Sequence, residues 1–350
     1  MSEAVGPGAD AVSPPPLRYP RLLRSLPGYR WWKPLIALLI AAVLWIVFQV
    51  VVGVGVFALA ILVGDVHLPE YNGGDLGAFT SQVMDVVVAF FSLNAADAYS
   101  LVAGLGGVAT LLPAVLLGYR IARLRPLSVL RSVMFCFRWR WFLLALAPAL
   151  LITGVATVVG FTVLPAIGIG SAPVAPTTPL STWLLCAAVI LILTPIQAAA
   201  EEFAFRGLVM QAVGGWVRPA IVAVLVSTAV FAALHTQYLG WATADVAFFG
   251  LVAAYVTWRT GGLEASVALH AVNNTVIFLV LASGAAGSTT AVDLDHPATG
   301  DPVSLSVTIV TMGLYAVIVT VVARRRGLRD QLTVDSTPHA PAGIADTSSG

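Results

Sequence analysis

From Leu35 to Val63 the chain carries no charged side chain. A run of that length exceeds the ~20 apolar residues that take an α-helix across a bilayer's hydrocarbon core. Further apolar blocks follow at Tyr99–Leu117, Trp141–Leu164 (with Pro148 as an expected interruption), Trp183–Val213, Pro219–His235, Asp245–Trp258, Ala265–Ser283 and Leu305–Val322. Charged residues make up 10% of the 350, against about 25% in soluble domains. The expected fold class is therefore all-α: a polytopic transmembrane helix bundle of about eight spans. Leu76–Leu93, broken by Ser81, Gln82 and Asp85, reads as an interfacial or re-entrant helix and is not counted.

The charges between these blocks orient them. Arg18, Arg21, Arg24, Arg30 and Lys33 precede the first block, and Arg120, Arg123, Arg125, Arg131, Arg138 and Arg140 follow the second. Arg324, Arg325, Arg326 and Arg329 follow the last. Loops holding Asp65, Glu70 and Asp75, or Asp293, Asp295 and Asp301, contain no Lys or Arg. Lys and Arg mark cytoplasmic loops, so both ends are expected in the cytoplasm, in a multi-pass protein of the cell membrane. The first block is too long for a signal-peptide core and reads as a retained anchor. Residues 1–34 and 324–350 read as disordered tails, 35–180 as N-terminal transmembrane helices, and 286–323 as an external loop with the last span. A net charge of +1 gives no reason to expect nucleic acid; membrane lipids are the expected surroundings. Cys136 and Cys186 form no metal or disulfide pattern and read as packing.

Charge inside the fourth block is the exception that points to chemistry. Glu201 and Glu202 are adjacent, and Arg206 follows Glu202 by four residues, so those two share a helical face and can pair. Ionisable residues within a span cost free energy and mark functional sites. His235 ends the fifth block, Phe231 lies one turn before it, and His270 and Asn274 share a face of the seventh. The Gly214-Gly215 break and the Arg218-Pro219 start imply a hairpin. Its arms of about 20 Å and 24 Å would return Glu201 and His235 to one depth. A carboxylate and an imidazole can together deprotonate a water. A second histidine with an amide can donate to an oxyanion. The alternative is a zinc ion held by Glu201, His235 and His270 with one open position. No HExxH and no GxSxG occurs.

The pattern EExxxR (Glu201, Glu202, Arg206), FxxxH (Phe231, His235) and HxxxN (His270, Asn274), each on its own apolar segment, resembles the CPBP family. That family comprises CAAX prenyl endopeptidases and bacteriocin-processing enzymes, also called Abi proteins. The resemblance covers about Trp183–Ser283, so residues 181–285 are expected to form the catalytic helices. It implies an intramembrane endopeptidase acting on a peptide or lipidated protein substrate. By that resemblance Glu201 and His235 would activate water, His270 and Asn274 would stabilise the oxyanion, and Glu202, Arg206 and Phe231 would support the site. No cofactor is required by this reading, zinc being the alternative.

Other polar positions read more plainly: Gln197 as packing, Asn273 as a helix–helix contact, and Glu264 as an interfacial charge. Two other function classes use the same residues: a proton-coupled carrier, since intramembrane Glu and His form proton relays, and a non-catalytic scaffold or immunity protein on the same fold. The carrier would be favoured by matching broken helices in the two halves, and none is seen.

Overall fold

Asp97 and Asp301 each open a helix with a side-chain oxygen. Asp97 accepts from the backbone N–H groups of Tyr99 and Ser100 at 2.7 and 3.0 Å. Asp301 accepts from those of Val303 and Ser304 at 2.8 and 3.0 Å, satisfying donors a helix start leaves free. Hydrogen bonds from Ser304 hold the Asp301 carboxyl below the usual carboxylate range. Gly261 and Gly284 end helices in the left-handed region, at φ 72° and 76°, where a side chain would be strained.

The structure, a computed structural model, describes residues 16–169, 174–293 and 296–332. In chain order the helices are α1 (Lys33–Leu62), α2 (Leu76–Phe91), α3 (Ala98–Ala109), α4 (Leu111–Ile121), α5 (Trp139–Val158) and α6 (Leu164–Ala166). They continue with α7 (Leu180–Glu202), α8 (Met210–Trp216), α9 (Ala220–Ala233), α10 (Trp241–Thr260), α11 (Glu264–Ser283) and α12 (Pro302–Arg325). π-helical turns at Val159–Val163 and Phe203–Val209 join α5 to α6 and α7 to α8. The backbone runs helically through Pro148, inside α5, without the expected interruption.

Among the described residues, seven continuous helices are long and apolar enough to cross a membrane, including Ala98–Ile121, Trp139–Ala166 and Leu180–Trp216. The protein is an integral membrane helix bundle. The fifth expected span, at Pro219–His235, is α9, which has only 14 residues. Pro219 caps its start in an extended conformation, and the chain leaves the helix at Leu234. α7 and α11 pack together at the centre, with α3 on α7 and α5 on α11; α10 lies among α9, α11 and α12. α1, with mean hydropathy 3.0, packs on α3 and α4 and turns Leu39, Val51 and their neighbours outward.

Three expectations are corrected at the arginine-rich end. Residues 16–32, expected as part of a tail, are folded: Tyr19–Ser25 forms a 3-10 helix with Tyr19, Leu22 and Leu23 fully buried. The Tyr19 hydroxyl donates to the carbonyl of Leu130, and burial pushes its phenol well above the ordinary range. Leu17–Arg18 (β1) pairs antiparallel with Gln331–Leu332 (β2), so the start of the expected C-terminal tail is ordered too. Residues 1–15 and 333–350, and Asp295, lie outside the described residues. The second correction concerns Gly214-Gly215. The helix continues through both to Trp216. They are small because the N-terminal segment lies against them: a Cβ on Gly214 would strike the Pro20 carbonyl, and one on Gly215 would come within 2.6 Å of the Tyr29 hydroxyl.

The third correction is Glu264, which is fully buried rather than interfacial. Arg138 donates from Nε to Oε1 at 2.8 Å and from Nη2 to Oε2 at 2.6 Å, and its backbone N–H donates to Oε1 at 2.8 Å. This fork ties the start of α5 to the start of α11. Removing one partner of such a pair leaves a buried charge uncompensated, which costs about 3–5 kcal/mol. Arg138→Met should therefore lower the thermal midpoint of the detergent-solubilised protein well beyond Arg140→Met, a neighbouring control; equal midpoints would refute this role.

Candidate active site

The fourth apolar block delivers its polar residues on one continuous helix. Gln197, Glu201 and Glu202 lie in the last turns of α7, and Arg206 lies in the π turn that follows. π turns inside α-helices are rare and concentrate at functional sites. α9 presents Phe231 near its end, with His235 in the turn just beyond. α10 contributes Phe249 and Gly250, and α11 contributes His270, Asn273 and Asn274.

Glu202 is the hub. Its Oε1 accepts from Arg206 Nη1 at 2.9 Å and lies 2.9 Å from His270 Nδ1. Glu202 and Arg206 are 0% exposed and His270 is 2%, so these groups have little contact with solvent and rely on one another. Arg206 Nη2 donates to the Gly250 carbonyl at 2.9 Å, and the guanidinium stacks on the Phe231 ring at 4.5 Å. A Cβ on Gly250 would approach Phe231 to 2.9 Å, so α10 needs a glycine there.

An ionised carboxylate only accepts hydrogen bonds, so His270 Nδ1 carries the proton and Nε2 faces the other way. It faces Glu201: Nε2 to Oε2 is 3.6 Å, within ion-pair range but too long for a hydrogen bond. Gln197 Nε2 donates to Glu201 Oε1 at 2.6 Å, while Oε2 has no hydrogen-bond partner. Asn274 Nδ2 donates to Gln197 Oε1 at 3.3 Å, and Asn273 Nδ2 donates to Asn274 Oδ1 at 3.2 Å. His235 Nδ1 lies 2.7 Å from the Phe231 carbonyl. That carbonyl only accepts, so Nδ1 again holds the proton, and Nε2 is an acceptor whenever the ring is neutral. Phe231 packs against both imidazoles, with ring centroids 4.3 Å from His235 and 6.1 Å from His270.

Glu201, His235, His270 and Asn274 open onto one cavity of about 1040 Å³, with Gln197 and Asn273 beside them. Its remaining walls are mainly apolar and include Trp45 of α1, Leu105 of α3 and Leu111 of α4. Among the described residues no three His, Cys, Asp or Glu side chains are gathered to hold a metal ion. The alternative zinc set of Glu201, His235 and His270 is thus not assembled.

Two neighbouring carboxylates, one engaged by Arg206 and one left open to a cavity beside histidine, decide which proteins this stretch should be compared with. Residues 180–276 match the family model described as type II CAAX prenyl endopeptidase Rce1-like. This stretch is an Rce1-like domain. It runs from the start of α7 into α11 and contains every residue of the hydrogen-bonded cluster. YyaK of Bacillus subtilis (strain 168), an uncharacterized protein, is 39% identical over 98 residues, covering 26% of this chain and 32% of the relative. The chain thus spans about a third of that relative's length. No solved structure matches.

Within the Rce1-like domain the structure brings Glu201, Glu202, Arg206 and His270 into one bonded group, with Phe231 packed on it. His235 stands on the same cavity wall, and no direct bond joins it to Glu201. Sequence reasoning left Gln197 as packing and Asn273 as an ordinary helix contact; both are in the chain of amides leading to Glu201. Gln197 lies one helical turn before Glu201, a spacing that signals a shared face without naming the partner. Glu202 does more than pair with Arg206, since it also holds His270 in one orientation.

Glu202→Leu should leave Arg206 buried without its carboxylate and destabilise the protein by about 3–5 kcal/mol. The double variant Glu202→Leu/Arg206→Leu should recover a large part of that loss. Denaturation of the two variants side by side reads this coupling; a double variant no more stable than the single one would contradict it.

Proposed function

We propose that the protein is an intramembrane endopeptidase that hydrolyses a peptide bond of a membrane-associated protein or peptide, with prenylated CAAX-type tails as the leading substrate class. The observation that carries this reading is Glu201. One of its oxygens is held by Gln197, the other is buried without a hydrogen-bond partner 3.6 Å from His270 Nε2, and the residue lines a cavity together with His235 and His270. A carboxylate prepared in this way suits proton abstraction from water. The match to the Rce1-like family model supports the same reaction class.

In this mechanism Glu201 takes a proton from a water bound between it and the His235 Nε2 lone pair. The hydroxide oxygen attacks the carbonyl carbon, and the carbonyl π electrons move to oxygen. Asn274 Nδ2 donates to that oxyanion, and His270, when protonated, does so through Nε2–H. The tetrahedral centre collapses, the C–N bond breaks, and the proton held by Glu201 passes to the leaving nitrogen. The products are a carboxylic acid and an amine, which exchange a proton to leave as carboxylate and ammonium, and no covalent intermediate with the protein forms. Phe231 and the Glu202–Arg206 pair keep both imidazoles in place. The arginine-rich loops support a cytoplasmic position for both ends, and the cell membrane is the location that goes with it.

Purified protein in detergent should cleave a fluorogenic farnesylated CAAX-type peptide. Glu201→Gln, which keeps size and shape, should reduce cleavage about 10²–10⁴-fold with an unchanged melting profile. His235→Ala should impair it comparably. Cleavage should survive a strong zinc chelator; loss restored by zinc would assign a metal to Glu201, His235 and His270. Retained cleavage in Glu201→Gln would sink the proposal, as would failure of the wild type on farnesylated, geranylgeranylated and unmodified membrane peptides alike.

A further inference from the structure

The hydrogen bonds around Glu201 form a chain with a fixed direction. Glu201, as a carboxylate, can only accept, so the Gln197 side chain must turn its NH₂ toward it. The 2.6 Å contact from Gln197 Nε2 to Glu201 Oε1 shows this arrangement. Gln197 Oε1 then faces α11, where it accepts from Asn274 Nδ2 at 3.3 Å. That contact turns Asn274 Oδ1 toward Asn273, which donates to it at 3.2 Å. Each amide is therefore oriented by the next, and the sequence begins at one carboxylate. Gln197 is 5% exposed, so water has little opportunity to replace either partner.

We infer that Gln197 is a positioning residue: by bonding both, it fixes the orientation of the Glu201 carboxylate and of the Asn274 amide, two groups whose residues line the cavity. The inference rests on the peptidase reading above and extends it to a residue outside the three motifs. Gln197 acts through the group that takes the water's proton and through a donor to the oxyanion, which sit on different helices, α7 and α11. A side chain that bonds both sets the distance between base and oxyanion donor. Small displacements of such groups cost about 10²-fold in rate, while the cavity that receives the substrate keeps its shape.

The geometry separates Gln197 from a residue that only fills space. Gln197→Met conserves volume and removes both hydrogen bonds. It should lower kcat about 10–100-fold and leave KM within about threefold. Gln197→Glu retains a side chain of the same length but sets a carboxylate against Glu201, so it should not rescue kcat at neutral pH. Asn274→Leu should be strongly coupled to Gln197→Met: the double variant should lose far less than the product of the two single losses. Melting profiles in detergent identify any variant that misfolds, and Ile196→Met, on the outward face of α7, is the control for substitution alone. If wild type cleaves and Gln197→Met keeps kcat within about threefold, the inference is overturned and the peptidase reading stands. Multiplicative losses in the double variant, or a rise in KM with kcat unchanged, overturn it too. A wild type that cleaves none of the peptides removes the peptidase reading itself.

Discussion

A carboxylate with no access to water cannot stand alone, and Glu202 is such a carboxylate. The site depends on what gathers around it. Arg206 supplies the charge from the same helix, and His270 supplies a ring nitrogen from α11. The other half of the Arg206 guanidinium reaches the backbone of α10 at Gly250. One buried anion thus specifies how three helices meet, and it does so by direction as well as by burial. Apolar packing alone would allow α7 to rotate or slide against α11. A forked cation and an oriented imidazole allow much less, because any slip strands a charge in a low-dielectric interior.

Glu201 benefits from this arrangement. The two carboxylates are neighbours in sequence and differ in surroundings: Glu202 is paired with a cation away from the cavity, and Glu201 accepts from an amide and lines the cavity. Phe231 adds the third dimension, since its ring touches the guanidinium on one side and both imidazoles on others. The aromatic ring of the FxxxH motif is therefore an organiser of polar groups.

Much of this was legible before any coordinates. Long uncharged runs announce membrane helices, and residues spaced by four declare a common face, so Glu202–Arg206 and His270–Asn274 could be paired from sequence. What could not be read depended on tertiary partners. Glu264 next to a glycine turn resembles any interfacial charge until Arg138 arrives from a distant loop. Gln197 in an apolar helix has no preferred partner until α11 presents Asn274. The π turn at Phe203–Val209 has no compositional marker. The N-terminal segment did carry a faint signal, since Tyr19, Leu22, Leu23 and Leu26 repeat with a helical period. Two turns beside a proline-rich stretch are too short to distinguish from chance, and the glycines that receive them lie almost two hundred residues away.

The shortness of α9 has a consequence for solvent. Fourteen residues make about 21 Å of helix, some 9 Å less than a typical hydrocarbon core. The chain then leaves helical geometry at Leu234 and resumes it at Trp241, while its neighbours continue. Lipid tails offer nothing to the freed carbonyls and amides, so irregular backbone at such a depth belongs beside protein or an aqueous pocket. Part of the segment is zipped to residues 298–299 by backbone hydrogen bonds at 2.8–2.9 Å, and His235, Gln237 and Tyr238 border the cavity. The truncated helix thins the apolar barrier beside the cavity, which is where the hydrolysis proposed above would draw its water.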